Sequence, residues 1–365
     1  MSRPGAVSTQ AAPGVSHAPC PSSTATLCPV KLQGRRVLVT GGAGFIGSHV
    51  VELLACANRV TVLDDFSVGR VENLAAAAPR VRIVRGDVTD RDLVTELVRE
   101  AEVVVHMAVV CLRESIGDPL RTFLVNDLGT LNVLLAARGS THLERLVYVS
   151  SSEVYGSARR SPMDEEHPLC PMTPYAASKL AGEVHALSFF RTYGLPVVVV
   201  RPFNAYGPRS HLRGTSGELI PRLAARALAG RPLVIFGDGS QTRDFTWVGD
   251  VARGIALAAE CDALLGNCVN IARGEPVSVL RVAELIRDLT GAEVPIEHHP
   301  ARPGDVVRHH ADVRRGLRLL GFRARTAIEE GLARYLEWLR GQPGDPASWL
   351  DGEEVVNWHP GPIAD

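Results

Sequence analysis

The segment Val37-Leu38-Val39-Thr40-Gly41-Gly42-Ala43-Gly44-Phe45-Ile46-Gly47 passes from an apolar, β-branched run through a glycine cluster into a segment with helical periodicity. This pattern predicts a buried strand, a tight turn and a helix. Gly41 would turn the chain, Gly44 would let a pyrophosphate approach the backbone, and Gly47 would let the helix pack close to the strand. The helix begins with Phe45 and Ile46, so its N-terminus would face the phosphates of a dinucleotide.

A second short strand, Thr61-Val62-Leu63, ends in Asp64, about twenty residues after the glycine cluster. An acid at this position hydrogen-bonds the ribose hydroxyls of NAD. Asp65 follows directly, and a 2′-phosphate would meet two carboxylates there. The sequence therefore predicts NAD rather than NADP as the cofactor.

Strands and helices alternate along the next 160 residues, roughly, which is typical of a parallel sheet covered on both faces. Strands are predicted near residues 37–40, 60–63, 81–85, 103–106, 146–150 and 197–201. Helices are predicted near 45–54, 90–99, 120–137 and 175–192. The fold class is thus α/β, a doubly wound, Rossmann-type sheet that binds ligands at the carboxyl ends of its strands.

The pattern becomes less regular after Arg201, where Gly- and Pro-rich loops separate shorter elements. We expect a disordered leader over residues 1–33. A NAD-binding Rossmann domain should follow over 34–200, with returning segments near 245–274. Residues 201–340 would form mainly a smaller C-terminal substrate-binding lobe, and 341–365 an irregular tail.

Composition narrows the class of protein. The 365 residues are 45% hydrophobic and 22% charged. Their formal net charge of −1 provides no excess of positive charge that would attract nucleic acid or an anionic membrane. The longest apolar runs have the length of a strand, so no membrane span is predicted. The seven cysteines lack C-x-x-C pairs, which favours reduced thiols in a cytoplasmic protein. No spacing of ligand residues calls for a metal.

The segment Tyr175-Ala176-Ala177-Ser178-Lys179 places a phenol and an ammonium on one helical face. A nearby ammonium favours the phenolate, so the tyrosine can exchange a proton with a substrate hydroxyl. Upstream, the strand near 146–150 delivers Ser151 to the same edge of the sheet. A Tyr and a Lys four residues apart usually mark no more than a solvated helix face. Here the strand that delivers Ser151 to the same edge of the sheet supports a catalytic role for the pair.

These motifs occur in an order that resembles the extended short-chain dehydrogenase/reductases, and more narrowly their NAD-dependent nucleotide-sugar epimerases and dehydratases. The resemblance runs from about Arg35 to Arg340. It rests on residues 41–47, Asp64, 86–88, 106–108, Asn126 with 129–130, Ser151 with 154–156, Tyr175 with Lys179, and the downstream segments 201–209, 236–245 and 302–305.

The resemblance implies a role for each matching position. Tyr175 would be the general base at the sugar 4-hydroxyl, Lys179 would tune Tyr175 and bind the ribose, and Ser151 would hydrogen-bond the same oxygen. Further cofactor contacts are implied for Asp87, Val88, His106, Ala108 and Asn126. Substrate contacts are implied for Ser152, Asn204, Phe236, Arg243 and Arg302, the two arginines suiting a diphosphate.

Glu153 leaves the reaction open. Epimerisation by transient oxidation at C4 needs no further acid and is our main prediction, an NAD-dependent 4-epimerase of a nucleotide hexose or related sugar. A 4,6- or 5,6-dehydratase would use Glu153 in the elimination, and a UDP-glucuronate decarboxylase is a further alternative. Glu153 could also only cap a turn or pair with Arg113, and a non-catalytic NAD-binding protein is a remote alternative.

The loop from His106 to Ser115 reads as one residue shorter than the resemblance leads us to expect. Because this loop flanks the sugar, it puts a standard UDP-glucose/UDP-galactose pocket in doubt. Arg113 could meet a carboxylate or an extra phosphate there, although we expect a surface arginine. The resemblance also implies a homodimer, formed through the helices near 120–137 and 175–192.

Overall fold

The computed structural model describes residues 31–212, 217–301, 306–353 and 355–356. Within them the strands, in chain order, are β1 Arg36–Thr40, β2 Arg59–Asp64, β3 Val81–Arg85, β4 Val103–His106, β5 Arg145–Val149, β6 Val197–Pro202, β7 Ala205–Tyr206, β8 Leu233–Phe236, β9 Thr242–Arg243, β10 Thr246–Trp247, β11 Cys268–Ile271, β12 Val277–Ser278 and β13 Ile296–His299. The helices are α1 Phe45–Leu54, α2 Arg91–Glu100, α3 Leu112–Gly117, α4 Pro119–Thr122, α5 Gly129–Arg138, α6 Pro174–Tyr193, α7 Leu219–Leu228, α8 Val248–Glu260, α9 Val279–Thr290, α10 Arg314–Leu320 and α11 Ile328–Arg340.

The central sheet has seven parallel strands in the order β11-β6-β5-β4-β1-β2-β3. Every residue of β5 and β6 is buried, as expected for strands covered on both faces. The strand order reverses between β1 and β4, which opens a crevice at their carboxyl ends. The predicted doubly wound α/β fold is confirmed.

Helices cover both faces of this sheet. Buried residues of α2, α5 and α6 share one core with side chains of β1, β4, β5 and β6, while α1 and α8 pack together and α8 contacts β5 and β6. The six strands predicted from the sequence all form, with their ends shifted by a residue or so. The seventh, β11, was not predicted as a separate strand.

The predicted helix over 120–137 is interrupted. It begins as α4, continues through a π-helical turn at Phe123–Leu128 and ends as α5. The side chain of Asn126 in this turn accepts from Val110 N at 2.7 Å and donates to Val110 O at 3.2 Å. These hydrogen bonds tie the widened turn to the neighbouring loop.

The smaller lobe has a core of its own, formed by α7, α9 and α11 around the parallel pair β8 and β13. The structure corrects the predicted irregular tail at one point, because Pro346–Leu350 forms a 3-10 helix. Trp349 and Leu350 are buried in the core of the lobe, and this apolar burial fixes the segment. The predicted leader lies outside the described residues, except for 31–33.

The chain passes between the two regions several times. After β8 it returns to the sheet as α8 and β11, enters the lobe as α9 and β13, and returns again as α10, which packs on β11. It then ends in the lobe with α11. The returning segments predicted near 245–274 correspond to β10, α8 and β11.

Candidate active site

A cavity of about 550 Å³ lies at the carboxyl ends of the central strands and reaches the lobe. That size suits a bound small molecule. It is lined by most residues that the sequence singled out: Gly41, Gly44, Phe45, Ile46, Gly47, Asp64, Asp87, Val88, Ala108, Ser151, Ser152, Glu153, Tyr175, Lys179, Asn204, Phe236 and Arg243. His106 and Asn126 are not among the lining residues, and Arg302 lies outside the described residues.

The glycine turn has the geometry that its sequence predicts. Gly41 has φ +67°, and a Cβ there would lie 2.8 Å from the backbone of Ala108. A Cβ on Gly47 would lie 2.1 Å from the carbonyl oxygen of Gly41. Both positions therefore require glycine, one for its conformation and one for close packing of α1 on the turn. The N-terminus of α1 is left facing the cavity.

Asp64 is buried at the end of β2 and ties the glycine turn to the next loop. One carboxylate oxygen accepts from Ala43 N at 2.8 Å and the other from Phe66 N at 2.9 Å. Burial raises the pKa of this carboxyl, against the two backbone hydrogen bonds. The carboxylate still borders the cavity, and its remaining lone pairs could accept from ribose hydroxyls.

His106 and Asn126 lie behind the cavity wall and position it. His106 Nδ1 is 2.7 Å from Thr40 Oγ1 and Nε2 is 3.0 Å from Thr130 Oγ1. Burial, aided by Lys179, lowers the pKa of His106 to about 3, so its imidazole is neutral. Thr40 Oγ1 also accepts from Ala108 N at 3.2 Å. Direct cofactor contacts of His106 and Asn126 stay predictions.

Tyr175 and Ser151 both line the cavity, and Ser151 lies close enough to the phenol to lower its pKa, which favours the phenolate. Burial dominates, however, and together with Glu153 it raises the pKa of Tyr175 well above that of a free tyrosine. Ser151 Oγ also accepts from Glu153 N at 3.2 Å, which fixes the hydroxyl at the start of the 3-10 turn Ser152–Tyr155. The phenol and hydroxyl thus share one point of the cavity.

Lys179 lies one helical turn after Tyr175 and is buried beneath the cavity. Its Nζ is 4.7 Å from the centre of the Tyr148 ring. Burial lowers the pKa of Lys179 to about 7, while Glu183 and Asp127 favour the charged form. An ammonium close to neutrality can respond to a bound ligand by taking up or losing a proton.

The lobe side of the cavity carries the predicted substrate residues. Arg243 Nη1 donates to Val306 O at 2.6 Å and to Thr242 O at 3.0 Å, which fixes the guanidinium at the wall. Asn204 Oδ1 is 3.4 Å from His309 Nδ1. Phe236 is buried and packs edge-on against His299. Their roles toward a substrate stay predictions.

Sequence reasoning missed several lining residues. Arg113, expected at the surface, lines the cavity, and burial lowers its pKa, whereas Glu218 and Glu153 raise it. His211 and Glu218 enter from the loop before α7. The buried hydroxyl of Ser150 also borders the cavity, and the described residues offer it no hydrogen-bond partner. Nothing in the sequence distinguished Glu218, because an acidic residue at the start of a helix is common.

These features fit a dinucleotide. The glycine turn keeps the backbone free of side chains, Asp64 borders the ribose end, and the unpartnered hydroxyl of Ser150 lies near Ser151. A Rossmann sheet with Ser, Tyr and Lys at this edge defines a short-chain dehydrogenase/reductase.

Comparison with known proteins refines this class. The family model of GDP-mannose 4,6 dehydratase matches residues 38–335. The dTDP-glucose 4,6-dehydratase of Streptomyces niveus is 38% identical, over 87% of this chain and 95% of that protein. The UDP-glucose 4-epimerase of Mycolicibacterium smegmatis is also 38% identical, over 84% of this chain and 98% of its own length. The crystal structure of Thermus thermophilus UDP-glucose 4-epimerase with NAD superposes with a TM-score of 0.76 at 36% identity, covering 84% of this chain and 99% of that one.

The chain therefore belongs to the extended short-chain dehydrogenase/reductases that act on nucleotide sugars, the epimerase/dehydratase family. Among the described helices, none has the length and apolar character to cross a membrane. The described residues contain no group of three or more His, Cys, Asp or Glu placed to hold a metal ion.

Proposed function

We propose that this protein is an NAD-dependent 4-epimerase of a nucleoside-diphosphate hexose or related sugar. The observation that carries the proposal is that Ser151, Tyr175 and, one helical turn further along, Lys179 line the same edge of a cavity fit for a dinucleotide. Relatives that are UDP-glucose 4-epimerases support the same reaction.

Tyr175, Ser151 and Lys179 have separate roles in the proton transfer. Tyr175 takes the proton of the sugar 4-hydroxyl and returns it after the sugar has turned over in the cavity. Ser151 donates a hydrogen bond to the same sugar oxygen and holds it against Tyr175. Lys179 stabilises the phenolate and contacts the nicotinamide ribose. When bound, NAD⁺ supplies the acceptor, and then the donor, of the C4 hydride.

The other predicted contacts hold the two ligands. The turn at 41–47, with Asp64, Asp87, Val88 and Ala108, would bind the cofactor. Arg243, Asn204 and, outside the described residues, Arg302 would bind the diphosphate of the sugar nucleotide, because guanidinium groups pair well with phosphate oxygens. Phe236 would border the nucleobase, and Ser152 would contact the sugar.

Elimination of water is the second candidate, favoured by one observation. Glu153 lines the cavity close enough to Tyr175 to affect the pKa of the phenol. A carboxylate there could move a proton at C5 or C6, as a 4,6- or 5,6-dehydratase requires. The dTDP-glucose 4,6-dehydratase relative is consistent with this candidate.

Incubation of purified protein with UDP- and dTDP-hexoses, without added cofactor, tests both candidates. Epimerisation gives C4 epimers of unchanged mass, whereas elimination gives a 4-keto product lighter by one water. Denaturing the protein should release NAD, identified by its mass. A panel that includes N-acetyl sugars and uronates and leaves all of them unreacted would overturn the proposal.

We also propose a cytoplasmic homodimer. The α4–α5 segment and α6 expose apolar side chains to solvent, among them Leu120 (67% exposed), Phe123 (55%) and Val184 (56%). A second copy would cover this apolar surface through the corresponding helices. The five cysteines that the described residues contain are all free thiols, as in a reducing compartment. Light scattering of the purified protein tests the dimer.

A further inference from the structure

Asp244 is a buried carboxylate next to Arg243, the residue proposed to bind the diphosphate. It is 0% exposed, and the described residues offer it no ion pair with a lysine or arginine. Burial raises the pKa of this carboxyl to about 6, against backbone hydrogen bonds that favour the charged form. Because burying a carboxylate without a cation is unfavourable, these hydrogen bonds must compensate for the lost hydration.

The two carboxylate oxygens of Asp244 bond to two separate segments. Oδ1 accepts from Arg273 N at 3.1 Å and from Gly274 N at 3.2 Å, in the loop after β11. Oδ2 accepts from Gly274 N at 3.0 Å and from Ala311 N at 3.2 Å, in the segment before α10. Asparagine has an NH₂ group in place of one oxygen, so on one side it would set N–H against N–H.

The second of these segments, residues 306–311, runs alongside β9. Thr242 N donates to Val307 O, and His309 N donates to Thr242 O, both at 3.1 Å. These bonds are of the kind that join strands in a sheet. The segment is thus tied to β9 at two neighbouring points, and Asp244 ties it again at its end.

Arg243 depends on the same segment for its position. Its Nη1 donates to Val306 O at 2.6 Å, and both residues line the cavity. A guanidinium binds phosphate oxygens well only where its planar set of N–H groups meets them in the right orientation. A shift of residues 306–311 would therefore turn the guanidinium away from that orientation.

We propose that Asp244 is a positioning residue, which holds residues 306–311 against β9 and so fixes Arg243 for the diphosphate of the nucleotide sugar. The proposal rests on the proposed function, which assigns Arg243 to the diphosphate. Asp244 is not among the described residues that line the cavity. It would therefore act through Arg243 rather than by touching the substrate.

Asp250 offers a matched control. It is also a buried carboxylate, and its Oδ2 accepts from Arg325 N and Thr326 N, each at 3.0 Å, while Oδ1 pairs with Arg253. These four residues are not among those that line the cavity. Asp250→Asn therefore disturbs comparable backbone hydrogen bonds elsewhere in the molecule, whereas Asp244→Asn disturbs those beside the cavity.

The experiment measures the dissociation constants of UDP and dTDP by isothermal titration calorimetry. The proteins are the wild type, Asp244→Asn, Asp250→Asn, Arg243→Ala and the double variant Asp244→Asn/Arg243→Ala. The titrations are run at pH 8, where a carboxyl with a pKa of about 6 is ionised. NAD released on denaturation and the melting temperature report on folding, and the double variant tests whether Asp244 acts through Arg243.

We expect Asp244→Asn to weaken binding of the nucleotide by about tenfold, the effect of misplacing one charged hydrogen-bond donor, without loss of NAD. Asp250→Asn should lower the melting temperature as well but leave the dissociation constant unchanged. In the Arg243→Ala background, Asp244→Asn should weaken binding no further.

Four results would overturn the inference: no binding of either nucleotide by the wild type, unchanged binding in a folded Asp244→Asn or in Arg243→Ala, an equal loss in Asp250→Asn, or full additivity in the double variant. If Asp244→Asn does not fold, Val307→Gly takes its place. Val307 is 62% exposed, so this change loosens the segment without opening the core, and unchanged binding again contradicts the inference. These titrations need no turnover, so a protein that converts no sugar contradicts the proposed function and leaves the role of Asp244 to the dissociation constants.

Discussion

The cofactor half and the sugar half of the cavity are built in different ways. The first is made by consecutive residues: the turn at 41–47 closes on itself through Gly41 and Gly47, and Asp64 fastens it with two backbone hydrogen bonds. The second is made by side chains far apart in sequence, such as Arg113, Glu153 and Glu218.

This difference indicates which properties each half controls. Backbone geometry in the cofactor half leaves little room for substitution, because steric contacts of 2–3 Å cannot be relaxed cheaply. The sugar half depends on charged side chains rather than on close backbone contacts. We therefore expect variants of the first half to affect folding and cofactor binding, and variants of the second to affect rate and choice of substrate.

Tyr175→Phe should have the largest effect, because it removes the proposed general base. This residue lies where the cofactor half and the sugar half of the cavity meet. We expect turnover to fall about a thousandfold, the loss typical of a general base. The protein should still release stoichiometric NAD on denaturation, since the cofactor half is intact. Tyr193→Phe, at an exposed tyrosine on the same helix, is the control. Undiminished turnover would remove Tyr175 from the mechanism.

Gly47→Ala should break the cofactor half alone. The new Cβ would meet the Gly41 carbonyl at 2.1 Å, which forces α1 away from the turn. We expect destabilisation by about 1–3 kcal/mol and loss of bound NAD, measured by thermal unfolding and by NAD content. Gly117→Ala is the matched control, because a Cβ there meets nothing within 4 Å. Equal NAD content in the two variants would contradict the packing argument.

Lys179→Met sharpens the comparison through the pH dependence of folding stability. The pKa of Lys179 is lowered to about 7 in the folded protein, below its value in the unfolded chain, so the unfolded state binds more protons between these values. This residue therefore destabilises the cofactor-free wild type most below pH 7, and that cost fades as pH rises toward the unfolded pKa. We expect the variant to gain stability relative to the wild type at pH 6 by about 1–3 kcal/mol, and less at pH 9. A difference in melting temperature that does not vary with pH would show that the lysine is not perturbed.

Glu153→Gln should have the smallest effect if the reaction is epimerisation, because C4 oxidation needs no second acid. We expect turnover to fall by less than about tenfold, with the product mass unchanged. Mass spectrometry of the product and initial rates provide the measurement. A complete loss of a dehydrated product in this variant, with that product present in the wild type, would instead establish elimination.

The two halves also differed in how well the sequence predicted them. Strands and helices of the sheet followed from apolar runs and periodicity, and the glycine turn followed from its spacing, because these signals are local. The π-helical turn within the helix over 120–137 did not follow from these signals, and neither did the contact of its Asn126 with the loop at Val110. The hydrogen-bonding distances of the His106 imidazole to Thr40 and Thr130 could not be predicted from the sequence either, and its contact with the cofactor stays a prediction.

In the sugar half, the sequence identified individual motifs but did not show which residues lie together in the folded chain. Asn204, Phe236 and Arg243 were identified by resemblance and do line the cavity. Arg113 was expected at the surface, and Glu218 was not singled out at all. Both line the cavity because the loop after β4 and the start of α7 border it in the folded chain, which no spacing in the sequence reveals.

The repeated passage of the chain between sheet and lobe has a consequence for protein engineering. Because β11, α8 and α10 come after β8 in the sequence yet complete the sheet, any truncation that removes the lobe also strips away an edge strand and two covering helices. No single excision site separates a nucleotide-binding fragment from a sugar-binding one. Exchanging sugar preference between homologues by grafting a contiguous module should therefore fail, whereas transplanting individual loops leaves the scaffold whole.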